Sequence, residues 1–239
     1  MTGTLINVGT ILLGTLVGTL LASRLPPGIQ ERVLAGLGLV TLVLGVDLAL
    51  EWRQTSPLYV LGGVLLGGLV GEALGIEDRL ARLGDRLQAR ASGRSGADPD
   101  HPSTVSEAFF TASLLFCVGP LTIVGAIQDG LTGDYDALAT KALLDGFAAV
   151  AISASLGAGV AFSAVTVLLV QGTISLAAGL FDQLLAEGSE ALAALSSAGG
   201  VLIIGIAFKL LDLKDVKVGN FLPALLIAPG LVGLVSLVD

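Results

Sequence analysis

A chain of 239 residues with a mean hydropathy of +0.90, 54% hydrophobic residues and only 13% charged ones cannot enclose its apolar surface in one soluble core, since soluble domains carry roughly a quarter charged residues. The 33 glycines point the same way, because glycine is commoner in membrane helices than in soluble ones. A net charge of −8 argues against nucleic acid as a partner, and the single cysteine, Cys117, excludes a disulfide framework or a thiolate metal site within one chain.

A membrane-crossing helix needs about 20 mostly apolar residues. That template finds eight segments, at 4–22, 32–50, 58–75, 106–127, 138–157, 161–181, 191–211 and 219–237. The first begins at Met1 without a basic leader and is expected to be a retained helix, not a removed signal peptide. The run 138–181 is too long for one crossing and is divided at SLGAGVAFS, 155–163, whose glycines allow a tight turn.

Cytoplasmic loops retain Lys and Arg. Ten basic residues (Arg24, Arg32, Arg79, Arg82, Arg86, Arg90, Arg94, Lys209, Lys214 and Lys217) follow odd-numbered segments, against two, Arg53 and Lys141, on the other side. This bias places both termini outside. Trp52, Tyr59 and Tyr135 fall at the predicted outer ends, where amphipathic rings favour the interface. The outer loops also carry Glu51, Asp129, Asp134, Asp136, Asp182, Glu187 and Glu190, either an entrance that concentrates cations or a simple solubilising face.

The one long polar connection is 76–104. IEDRLARLGDRLQAR places Ile76, Leu80, Leu83 and Leu87 on one helical face, as in a helix lying on the cytoplasmic membrane surface. ASGRSGADPDHPST, with the lone histidine His101, reads as a flexible linker.

A shift of about 160 residues brings the first three segments onto the last three. Gly9-Thr10-Ile11 falls on Gly172-Thr173-Ile174, LVLGVDLAL (42–50) on LIIGIAFKL (202–210), and GGLVG (67–71) on PGLVG (229–233), at offsets of 163, 160 and 162. Segments one, two and three thus match six, seven and eight. An odd shift in helix number gives the two units opposite orientations, the inverted repeat found in secondary transporters and also in other duplicated membrane proteins. The expected organisation is a three-helix repeat at 1–75, a cytoplasmic helix and linker at 76–104, a central pair with a broken helix at 105–160, and an inverted repeat at 161–239.

Candidate chemistry follows from breaks and buried polarity. Gly119-Pro120 interrupts the fourth segment near its middle, and Pro223 and Pro229 interrupt the eighth. Such breaks expose carbonyls and half-helix ends, or are kinks compensated by neighbouring helices. The polar residues within the segments are Asn7, Asp47, Gln128, Lys141, Asp145, Gln171, Lys209 and Asn220. Asp145 leads, since a charge at membrane depth is costly and functional by default. Lys141 lies one turn away on the same face, so a salt bridge that only stabilises the helix is the rival reading. Gln171, near the centre of the sixth segment, is placed either to bind a substrate or to pair with another helix.

Gly14-x-x-x-Gly18 and Gly63-x-x-x-Gly67-x-x-x-Gly71 have the spacing that lets helices approach closely, within the chain or between two copies in a homo-oligomer. There is no phosphate-binding glycine loop, nucleophile elbow or HExxH, so neither an enzyme nor a cofactor is expected.

TASLLFCVGPLTIVGAIQDGLTGD at 111–134, KALLDG at 141–146, LVQGTISLAAGL at 169–180 and KVGNFLPA at 217–224 together resemble a bacterial inner-membrane family catalogued as domain of unknown function 554. The resemblance spans nearly the whole chain and implies a multi-pass protein of the bacterial cytoplasmic membrane, loosely described as a permease, with no activity to carry over. Two readings follow. In the first, a secondary transporter binds a small solute or ion at Gly119, Pro120, Gln128, Lys141, Asp145, Gln171 and Asn220. In the second, the protein is a passive channel or a non-transporting scaffold, surrounded by the same lipid bilayer.

Overall fold

The computed structural model describes residues 1–22, 26–79, 82, 104–117, 120–180 and 185–236. The described residues form helices and connecting turns, with no strand among them. In chain order the helices are α1 (Thr2–Ala22), α2 (Pro27–Ala49), α3 (Pro57–Leu74), α4 (Thr104–Cys117), α5 (Pro120–Leu131), α6 (Asp136–Leu156), α7 (Ser163–Leu176), α8 (Glu190–Leu210) and α9 (Ala224–Ser236). Short 3-10 turns at Leu50–Gln54, Ala158–Phe162 and Val218–Phe221 extend α2, α7 and α9.

Among the described residues, seven stretches are long and apolar enough to cross a membrane, and α4 with α5 makes an eighth as a pair bent by 62°. The expected all-α polytopic architecture of about eight crossings is therefore present. Local sequence sets the ends. Ser56 and Ser189 cap α3 and α8, their hydroxyls accepting the Leu58 and Leu192 amides. Gly75 ends α3 at φ 58, a left-handed conformation that glycine adopts without a Cβ penalty. The division of 138–181 also holds: α6 stops at Leu156, Gly157 turns at φ 88, and the next helix begins. The eighth segment departs from expectation, because α9 runs through Pro229 unbroken and only Pro223 lies outside it.

The packing uses one face of α1 and nearly the whole circumference of α8. Leu5, Leu12, Leu13, Leu16 and Leu20 of α1 stay exposed, while Gly3, Thr4, Asn7, Ile11, Gly14, Thr15 and Gly18 are buried. Exposed leucines on a crossing helix face lipid, where they cost nothing. Small residues let the backbones approach. A Cβ added to Gly3 would meet Leu138, one on Gly14 the Gly146 carbonyl, and one on Gly18 the Val150 carbonyl and Ser153 hydroxyl. The partner numbers rise together, so α1 and α6 run parallel. Elsewhere they run in opposition: Gly38 meets Leu211 and Gly45 meets Gly200 between α2 and α8, while Gly63 meets Ala228 and Gly71 meets Asn220 between α3 and the α9 segment.

The parallel pair decides how the bent helix counts. Four crossings must separate the starts of α1 and α6 if they begin on the same side. Three are α1, α2 and α3, so α4 and α5 together supply the fourth and do not turn back on themselves.

The expected surface helix at 76–87 is helical at 76–79, and most of it, with His101 and the linker, lies outside the described residues.

Candidate functional site at the broken fourth span

In an unbroken helix the amide of residue 120 would bond the carbonyl of residue 116. Residue 120 is proline and has no N–H, so the carbonyl of the fully buried Phe116 loses its helical partner. The structure supplies two substitutes. Lys141 Nζ donates to the Phe116 oxygen at 2.7 Å, and Thr122 Oγ1 donates to it at 3.2 Å. The Lys141 ammonium also sits 6.0 Å from the centre of the Phe116 ring, within the range of a cation–π contact.

Lys141 is held from the other side as well. Its ammonium pairs with Asp145 Oδ2 at 2.5 Å, one turn along α6, and each side chain is 8% exposed. The same carboxylate oxygen accepts Asn7 Nδ2 of α1 at 2.9 Å. Four pieces of backbone thus converge on one buried ion pair: α1, the C-terminal end of α4, the first turn of α5, and α6. The electrostatics agree. The end of α4 carries the partial negative charge of a helix C-terminus, and the ammonium lies between it and the carboxylate.

The other sequence candidates fall around this centre as follows. Gln171 is fully buried on α7, and neither its side-chain oxygen nor its nitrogen has a hydrogen-bond partner. Gln128 is half-buried on α5, its backbone carbonyl accepting the Thr132 amide and hydroxyl. Asn220 belongs to a different cluster. Its Oδ1 accepts the Glu77 amide at 2.8 Å, its Nδ2 donates to Glu72 at 2.6 Å, and Glu77 accepts the Gly219 amide at 2.5 Å. This stitches the end of α3 to the turn before α9. Pro120 opens α5, and Gly119 lies outside the described residues.

Four groups were missed or under-rated. Asn7 was noted only as a polar residue in the first span, and its partner is 138 residues away. The Phe116 carbonyl and Thr122 were overlooked, although counting four residues back from Pro120 finds the free carbonyl in the sequence itself. Asp129, read as part of an acidic outer face, is buried, and accepts the Thr2 and Gly3 amides at 3.2 and 3.0 Å. It caps the N-terminus of α1, where the helix dipole favours a negative charge.

Beside the break lies a groove of about 700 Å³, with Phe109, Ser113, Cys117, Ile123, Thr166 and Leu222 in its lining. Cys117 and Ile123 flank the break itself. Walls this apolar suit an acyl chain or an apolar side chain better than a polar solute.

Comparison with known proteins places this arrangement in a lineage. The chain is 33% identical over 230 residues to the uncharacterised protein YqgA of Escherichia coli K12, covering 95% of this chain and 94% of that one. It is 28% identical over 231 residues to the uncharacterised membrane protein YdfK of Bacillus subtilis 168, covering 96% and 94%. No solved structure matches it. The family model described as a protein of unknown function, DUF554, matches residues 2–233, which takes in every side chain of the clamp, and the chain belongs to that family.

Proposed function

We propose that the protein is a secondary transporter for a small solute or ion across the bacterial cytoplasmic membrane, with the Asp145–Lys141 pair as its coupling group. The observation that carries this reading is the buried ion pair clamped onto the free carbonyl of a broken span. An ion pair deep in a helix bundle is an expensive way to join helices, since apolar residues of similar volume do so at equal or lower cost. It is useful where the partner of the carboxylate has to change. Withdrawing Lys141 would leave Asp145 Oδ2 with Asn7 and the Phe116 oxygen with Thr122, each acceptor then with a lone pair open to an incoming cation or proton.

The pairing of α2 with α8 and α3 with α9 in opposite directions supports an inverted-repeat mechanism, because these are the spans that the internal sequence match relates. In this reading the two units rock about the central break. In this reading both termini face outward, which the distribution of Lys and Arg supports.

Reconstitution into proteoliposomes tests it, with radiolabelled sodium and a lumenal pH dye as probes under imposed ion gradients. Gradient-driven flux is expected from the native protein and loss of it from Asp145→Asn. Unchanged flux in that variant removes Asp145 from the mechanism. That Asn220 is held by Glu72 and Asp129 by the start of α1 favours a second reading, a non-transporting scaffold, which predicts no flux under any gradient.

A further inference from the structure

The end of the bundle at which α1 begins holds a second set of polar groups. Thr4 Oγ1, Asn7 Oδ1 and both polar atoms of Gln171 lack partners, and all three residues are 0% exposed. Each such group costs about 1–3 kcal/mol when buried unpaired, and most buried polar atoms in folded proteins are satisfied. Three of these residues on neighbouring helices call for an occupant.

Their placement brings them to the same end of the bundle. Thr4 and Asn7 are one turn apart on the buried face of α1. A Cβ on Gly172 would lie 3.2 Å from Met1 Cε, which sets α7 against the start of α1. With about 1.5 Å of rise per residue, Gln171 lies about one residue inward from that contact, and Thr4 and Asn7 about 4.5 and 9 Å inward, so the three lie within about one and a half helical turns of one another. Ser175, one turn beyond Gln171, donates to the Ala126 carbonyl of α5. Gln171 is therefore seated between α1 and α5, the helices that carry Asn7 and Thr122.

The orientation of Asn7 is fixed by chemistry. A carboxylate paired with Lys141 only accepts, so the amide must present Nδ2 to Asp145. Its oxygen is left free for the second set. The free atoms are then three neutral oxygens, from Thr4, Asn7 and Gln171, and one amide nitrogen.

We propose that Thr4, Asn7 and Gln171 form a binding site for a partly dehydrated alkali cation. Three neutral oxygens suit a monovalent ion. Calcium and magnesium require six or more oxygens including carboxylates or several waters, and Asp145 is already neutralised by Lys141. A cation on Asn7 Oδ1 polarises that amide and strengthens its N–H bond to Asp145, so Asn7 links the ion to the coupling pair. A water on the cation would take the remaining Gln171 donor. The assignment of this ion as the coupling ion rests on the transporter reading; its binding does not.

Thermal unfolding of the purified full-length chain in detergent tests it, titrating sodium or potassium chloride against choline chloride at constant ionic strength. An alkali cation is expected to raise the melting temperature saturably, as mass action on the native state demands. Thr4→Val and Gln171→Leu are each expected to raise the half-saturating concentration at least tenfold. Ser197→Ala removes a buried hydroxyl bond to the Ala49 carbonyl, between α2 and α8. It is expected to lower the baseline and leave the cation response intact. Should Gln171→Leu fail to fold, as judged by gel filtration, Thr4→Val carries the comparison. Equal melting in choline and in both alkali salts overturns the site and leaves ordered water as its occupant, and so does an undiminished response in the folded variants. Cation-dependent stabilisation without flux sinks the transporter reading alone, whereas flux without it sinks this site alone.

Discussion

Lys141→Met tests the clamp most directly. Methionine preserves most of the aliphatic stem but removes the ammonium. Asp145, 8% exposed, then stays buried with only Asn7 as a hydrogen-bond donor. Removing one member of a buried pair costs about 3–5 kcal/mol. The Phe116 carbonyl keeps Thr122 at 3.2 Å, so its loss adds little, about 1 kcal/mol. A total of about 5 kcal/mol corresponds to a fall of about 10–20 °C in melting temperature for a chain of this size. Asp145→Leu introduced into Lys141→Met removes the stranded charge and leaves one unpaired Asn7 amide. The double variant is therefore expected to be more stable than either single variant by about 2 kcal/mol. Unfolding can be followed in detergent with a thiol-reactive fluorophore, Cys117 being the one cysteine and half-buried in the native state. Strictly additive costs, or a single-variant loss below about 1 kcal/mol, would refute the argument that this pair holds the break.

Three further outcomes follow from other parts of the bundle. Gly71→Ala would drive a Cβ into the Asn220 carbonyl oxygen and is expected to cost about 3 kcal/mol, whereas Gly9→Ala, with no heavy atom within 4 Å of the added carbon, should gain about 0.5–1 kcal/mol; the two melting temperatures should move in opposite directions. Asp129→Ala uncaps α1 at a cost of about 1–2 kcal/mol, read as faster hydrogen exchange in its first turn. Glu77 is raised from its ordinary value of 4.5 by burial, opposed by the Gly219 amide and Lys209. A carboxyl raised in the folded state favours folding while protonated, so this contribution is lost as pH rises above about 4.5. Glu77→Gln removes the titration. Its melting temperature minus that of the native protein should grow more positive from about pH 4.5 toward neutrality, and a flat difference would show that Glu77 does not titrate in this way.

The crossings were legible because each satisfies a one-dimensional rule: enough apolar residues for a bilayer, ended by glycine, serine or charge. The break at Gly119-Pro120 was legible for a similar reason, since proline deletes a donor wherever it sits. Lys141 and Asp145 met because four residues make one turn. The lateral arrangement obeys no such rule. Asn220 and Asp145 are both polar and both within apolar segments, yet Asn220 is taken up by Glu72 and Glu77 at the end of α3. Asp129 looked like a loop acid because it sits near the end of α5, and only the close approach of Gly3 on α1 shows it to be a cap. Pro229 shows the converse, a local signal for a break that the surrounding packing overrides.

The parallel union of α1 with α6 has a consequence for how the chain is made. Helix α1 carries Asn7 on the face that ends against α6, and its partner Asp145 is synthesised more than a hundred residues later. During that interval α2, α3 and the bent pair must insert while α1 stays unpaired or is shielded by the insertion machinery. The late arrival of Asp145 then closes the assembly, because Asn7 gains its carboxylate in the same step that Lys141 reaches the Phe116 carbonyl. Chains truncated before residue 136 should thus leave α1 inserted but accessible to degradation in the membrane, and those that include α6 should acquire protease resistance abruptly.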